Sequence, residues 1–184
     1  MRKGLFVFLR SLLLGGFLAA GAAAQTVSWD RIPGIALANN VVGSGTGAIT
    51  GGFLPWNTTT GKARVNLQTG EVHFFVRGLV FAAGVPGITI GTPGPITAVK
   101  GTLLCDPDGK ASAGNSVLVE TPSVTLNSTG DAKFTGNVGS IPAVCSSQPV
   151  IFLVRAAAVG ENAVEGPWIA NGAVFSKDAE GEGN

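Results

Sequence analysis

The amino-acid sequence predicts an all-β fold, an antiparallel β-sandwich with a partly open β-barrel as the alternative. Three observations lead there. The 28 glycines and 10 prolines are spread along the 184 residues and would interrupt helices. The segments between them are rich in Val, Ile, Thr and Phe, the residues that suit a pleated, half-buried surface. Past the N-terminal stretch, no window of about eleven residues carries the i, i+3, i+4, i+7 apolar stripe of an amphipathic helix.

Along the chain, Arg2 and Lys3 precede a mostly apolar run from Leu5 to Gly21 that ends in Ala22-Ala23-Ala24 before Gln25. This is the pattern of a signal peptide over residues 1–24 with an A-x-A cleavage site. The run carries Arg10 and two glycines and falls short of the ~20 clean apolar residues of a membrane span, so the mature chain is expected to be secreted or periplasmic, without membrane insertion. Loss of Arg2, Lys3 and Arg10 takes the basic count from 12 to 9 against 11 acidic residues, a net charge of −2. No Lys/Arg cluster survives that could neutralise a row of phosphates, which argues against nucleic acid and anionic membranes as partners. Residues 25–175 are long enough for one domain with a real core, and the polar stretch 176–184 reads as a flexible tail.

The most regular stretch is "GKARVNLQTGEVHFFVRGLV", residues 61–80. Its alternation predicts a hairpin with Leu67-Gln68-Thr69-Gly70 as the connection, glycine taking the left-handed position. The faces then sort themselves: Val65 opposite Val72 and Ala63 opposite Phe74 inward, Asn66 opposite Glu71 and Arg64 opposite His73 outward. A second copy of the pattern, from Val124 to Phe134, sets Lys133 at the position of His73. Further strands are expected in 51–56, 96–105, 116–126, 149–159 and 166–175, between Gly, Pro and Asn-Gly punctuation. Residues 85–96, "VPGITIGTPGPI", are too rich in Pro and Gly for a central strand and read as a long exposed connection or edge.

Cys105 and Cys145 both lie in the exported part, where a disulfide is the default expectation. Closing that loop stabilises the fold by about 4 kcal/mol in the chain-entropy view.

The stretch "TGKARVNLQTGEVHFFVRGL", residues 60–79, resembles the opening of the chordin-type (CHRD) domains of secreted proteins, in which an alternating strand, a glycine turn and a second strand ending in Gly-Leu recur. The resemblance implies an all-β fold. Many such domains carry a His-x-His segment after the Gly-Leu, where this chain has "VFAAGVPGITI", so no functional residue is carried over.

Each chemical reading has a structural competitor. His73 is the only histidine, and one imidazole makes neither a metal site nor a catalytic pair without partners, so a strand-face contact with Glu71 or Arg64 is preferred. "CDPDGK" (105–110) has two carboxylates ahead of a glycine but lacks the remaining oxygens of a calcium loop, which leaves a tight turn. "GSGTG" (43–47) lacks the Lys-Ser/Thr of a phosphate loop and the serine elbow of a hydrolase, and reads as a flexible surface loop leading to the first sheet strand. Trp29, Trp56 and Trp168 would form a sugar-stacking surface if exposed, but core packing is the ordinary use of tryptophan in a domain this size.

The sequence therefore predicts a non-catalytic binding or structural module with no cofactor and no metal, acting on an envelope protein or a glycan. The alternatives are a carbohydrate-binding module built on exposed tryptophans and a small extracellular hydrolase built on paired carboxylates.

Overall fold

The structure is a computed structural model describing residues 25–157 and 165–172. The expected signal peptide (1–24) and tail (176–184) lie outside the described residues, as do the last positions of two expected strands, 158–159 and 173–175.

The strands are, in chain order, Thr26–Trp29 (β1), Val41–Val42 (β2), Ile49–Thr50 (β3), Trp56–Asn57 (β4), Thr60–Asn66 (β5), Glu71–Arg77 (β6), Val80–Phe81 (β7), Ala98–Cys105 (β8), Val117–Glu120 (β9), Val124–Thr125 (β10), Ala132–Asn137 (β11), Val150–Ala157 (β12) and Trp168–Asn171 (β13). One short helix, Val144–Ser147 (α1), and a 3-10 turn at Gly45–Gly47 complete the elements. The antiparallel order β1-β5-β6-β11 makes one sheet, and β10-β8-β12-β13, with β9 also on β8, makes the other. Two small ribbons, β2-β3 and β4-β7, stand beside them. The sheets form a sandwich and no closed barrel.

The hairpin of β5 and β6 has the register that alternation requires: Val65 opposite Val72, Ala63 opposite Phe74, Arg64 opposite His73. Its turn closes with the Gly70 N–H donating to the Asn66 carbonyl at 2.9 Å, Gly70 having φ 74°. The Val124 copy does not make a second hairpin. β10 pairs with β8 in one sheet and β11 pairs with β6 in the other, so the intervening Asn127–Asp131 turn is a corner between layers. The Asn127 carboxamide oxygen holds this turn by accepting from the N–H groups of Thr129 and Asp131.

The core forms where the inward rows meet. Val27, Trp29, Val65, Val72, Phe74 and Val76 of the first sheet face Leu103, Phe152, Val154 and Ala156 of the second, all buried. β8 and β12 are buried on both faces, because residues 34–52 lie over the outer side of their sheet: Gly34 bridges Ala170, Gly51 bridges Trp168, and Gly43 sits against Leu104. This is why "VIFLV", residues 150–154, reads as an unbroken apolar run rather than an alternating one.

Several expectations are corrected. The single strand expected over 116–126 is two, because Pro122 has no N–H to donate and the register on β8 moves by one residue between Glu120 and Val124. In 51–56 only Trp56 is in a strand. The "GSGTG" segment is not a free loop: the Ser44 N–H donates to Ser116 Oγ at 2.9 Å, the Thr46 N–H to Asn115 Oδ1 at 2.9 Å, and Gly47 is buried against the Ser116 carbonyl. It also follows the first sheet strand, β1, rather than leading to it. Cys105, at the end of β8, is bonded to Cys145 of α1 with their Cα atoms 4.9 Å apart, tying the 106–149 excursion to the sheet it leaves.

Candidate functional site

The outer face of the first sheet carries an open groove of about 940 Å³. Strand alternation alone builds it. Residues whose neighbours in sequence fill the core must point outward, which places Ser28, Arg64, His73 and Thr135 in one cross-strand row. Lys62, Phe75 and Lys133 form the next. Phe75 is half-buried on this otherwise polar face, and the Arg77 guanidinium carbon lies 5.9 Å from its ring centroid. The face carries Lys62, Arg64, Arg77 and Lys133 against Asp30, Glu71 and Asp131. Lys62 is paired with Asp30 at 3.1 Å, both exposed. Asp131 is held by the backbone N–H of Gly78 at 3.0 Å and then by Thr129, which lower its pKa. Among the described residues, Arg64 and Lys133 form no ion pair. A basic cluster that is invisible along the sequence thus exists in space, because its members sit at alternate positions of three strands.

His73 lies in this groove. Its Nε2 is 2.8 Å from Glu71 Oε1 and its Nδ1 is 3.2 Å from Thr135 Oγ1. In the neutral ring the carboxylate can only accept, so Nε2 carries the proton and Nδ1 accepts from the Thr135 hydroxyl. The chain hydroxyl–imidazole–carboxylate is that of a catalytic triad. Along the sequence it is hidden, because Thr135 is 62 residues from His73; only Glu71-x-His73, two acid–base groups on one strand face, is legible there. Among the described residues, the backbone beside it does not form an oxyanion-binding site. β6 is paired on both sides, so its amides are bonded to β5 and β11 instead of converging on an oxyanion. The side chains of His73 and Glu71 are 44% and 56% exposed, so water reaches the chain of bonds freely.

A second cluster lies on the outer side of the other sheet. Arg155 Nη1 is 2.5 Å from Glu120 Oε1 and 3.2 Å from Glu165 Oε2, and Lys100 Nζ is 2.7 Å from Glu120 and 3.1 Å from Glu165. The Thr102 hydroxyl donates to Glu120 at 3.1 Å, and Arg155 Nε donates to the Gly166 carbonyl at 3.0 Å. Hydrogen-bonding contact with Glu120, then with Lys100, outweighs desolvation and holds the Glu165 carboxyl down at about 2. Burial acts against the Lys100 charge, but its bonds to the two glutamates prevail and raise its pKa. Here the structure does bring two carboxylates together. The lowered pKa of Glu165 runs opposite to what a glycosidic general acid needs, which is a carboxyl whose pKa is raised.

The three tryptophans are core residues: Trp29 is 4% exposed, Trp56 3% and Trp168 2%. Trp29 packs on Phe152 at 5.5 Å, Trp56 on Phe81 at 4.0 Å, and Trp168 Nε1 donates to the Asn40 carbonyl at 3.1 Å. The exposed indole platform of the carbohydrate-binding alternative is therefore absent from the described residues. "CDPDGK" is a turn, the Gly109 N–H donating to the Asp106 carbonyl at 2.9 Å and Lys110 pairing with Asp108 at 2.6 Å. Exposed large apolar side chains among the described residues are Leu37, Val41, Phe53, Val85 and Ile90, all in the charge-free stretches 32–61 and 78–99.

No family model, no curated protein and no solved structure matches the chain.

Proposed function

We propose that the protein is an exported, non-catalytic binding module of the cell envelope, and that the outer face of sheet β1-β5-β6-β11 is its contact surface. One observation carries the reading: the groove on that face sets two cations without carboxylate partners, Arg64 and Lys133, around the half-buried ring of Phe75. A half-buried ring and uncompensated charges cost little when a partner covers them and serve no purpose in the fold itself. The segment 60–79, with its likeness to chordin-type domains, supplies the two central strands of this surface. Export is supported by the residue 1–24 pattern and by the Cys105–Cys145 bridge, a bond that persists in oxidising compartments. Among the described residues no helix is long and apolar enough to cross a membrane.

The test is retention of the purified mature protein on isolated envelope material. The Arg64→Glu/Lys133→Glu double variant is expected to lose retention while keeping the wild-type circular dichroism spectrum. Undiminished retention of that variant would contradict the assignment of the face.

A further inference from the structure

We infer that the occupant of this groove is an acidic glycan, a chain of sugar rings bearing carboxylates, laid across the strands; the inference rests on the contact surface proposed above. Lys62 and Lys133 flank Phe75 from the two neighbouring strands, so their stems are separated by two strand spacings, about 9.5 Å of sheet. The half-buried ring between them has the Arg77 guanidinium carbon 5.9 Å from its centroid, and the part of it left to solvent can take the C–H side of a pyranose. Arg64, one row along, supplies a planar fork for a carboxylate, the geometry that favours arginine over lysine at such contacts.

The rest of the face suits hydroxyl groups. Ser28 and Thr135 stand in the Arg64 row; the Ser28 hydroxyl can donate or accept, and the Thr135 oxygen, whose proton goes to His73, can still accept. The exposed Asp30–Lys62 pair is weakly held and yields Lys62 to a competing carboxylate at small cost. A nucleic acid fits less well, because a single-stranded binder stacks successive bases on several aromatic rings and tracks the backbone with an unbroken cationic groove. Among the described residues this face has one phenyl ring, an imidazole already bonded to Glu71 and Thr135, and three interspersed carboxylates.

The experiment is a calorimetric titration of the mature protein with three probes: an oligogalacturonate, the same oligomer fully methyl-esterified, and a single-stranded DNA oligonucleotide. The expected result is binding of the acid form, weakened by added salt and weakened about tenfold by Arg64→Ala/Lys133→Ala. Phe75→Ala is expected to weaken it as well, and the ester and the DNA to bind more weakly. Equal binding of the ester would show that charge is not read, and tighter binding of DNA would assign the groove to nucleic acid. No binding of any probe, with envelope retention still lost in Arg64→Glu/Lys133→Glu, would overturn the ligand class and leave the surface standing. Retention unaffected by that variant would remove both.

Discussion

Phe74 of one sheet and Phe152 of the other meet with ring centroids 5.5 Å apart directly over Gly101, where a Cβ would lie 2.6 Å from Phe152 Cζ and 2.9 Å from Phe74 Cε1. The two layers close on each other there only because β8 has no side chain at that point. Gly101→Ala is expected to destabilise the domain by about 1–3 kcal/mol, the usual cost of overpacking a filled core. Urea unfolding measures it, and an unchanged midpoint would mean that the sheets are not in contact at this position.

The ion cluster of the second sheet holds charge where solvent barely reaches, the Arg155 side chain being 6% exposed. Removing one partner of such a pair strands the other. Glu120→Ala is expected to cost about 3 kcal/mol, and Arg155→Met in the same background much less than it costs alone. A double-mutant cycle in urea reads this, and additive costs would show the two groups to be uncoupled.

Acid should loosen the same cluster. The folded pKa of Glu165 lies at about 2, below its ordinary 4.5, so its contribution is complete above pH 4.5 and is lost as pH falls toward 2. The side chain is half exposed, and solvent screening keeps the effect modest. The urea midpoint of the wild type is expected to fall more steeply across that window than that of Glu165→Gln. Parallel pH profiles would contradict the assignment.

The Thr135–His73–Glu71 chain is expected to bind and not to cleave. Hydrolysis of p-nitrophenyl acetate should be no faster with the wild type than with Thr135→Val, since any residual rate comes from the exposed imidazole alone. A rate that falls many-fold on loss of the hydroxyl would make this face an active site.

Much of the fold is legible in the sequence because alternation and punctuation are local. The β5–β6 register follows from keeping Arg64 and Glu71 out of the core, and Gly70 marks the turn that permits it. The Cys105–Cys145 bridge follows from the two-cysteine count and the expectation of export. What is not legible depends on the way separate segments are brought together. β10 and β11 look like a second hairpin because their sequence matches the first, yet β8 offers β10 an open edge in the opposite sheet. The site is half hidden for the same reason: Lys62, Arg64 and Arg77 share the outward face of the hairpin, and Lys133 joins them only when β11 pairs with β6. Core packing of Trp29, Trp56 and Trp168 is the reading the sequence favours and the structure has; what it does not show is that residues 34–52 fold back beside Trp56 and Trp168.

Backbone amide chemical-shift mapping of the isotopically labelled mature protein, titrated with the oligogalacturonate, tests the contact surface most directly. The account predicts shifts concentrated on β5, β6 and β11 around Arg64, His73, Phe75 and Lys133. Shifts confined to the apolar flank near Phe53 and Ile90, or to the Arg155 cluster, or none at saturating oligomer, would contradict it.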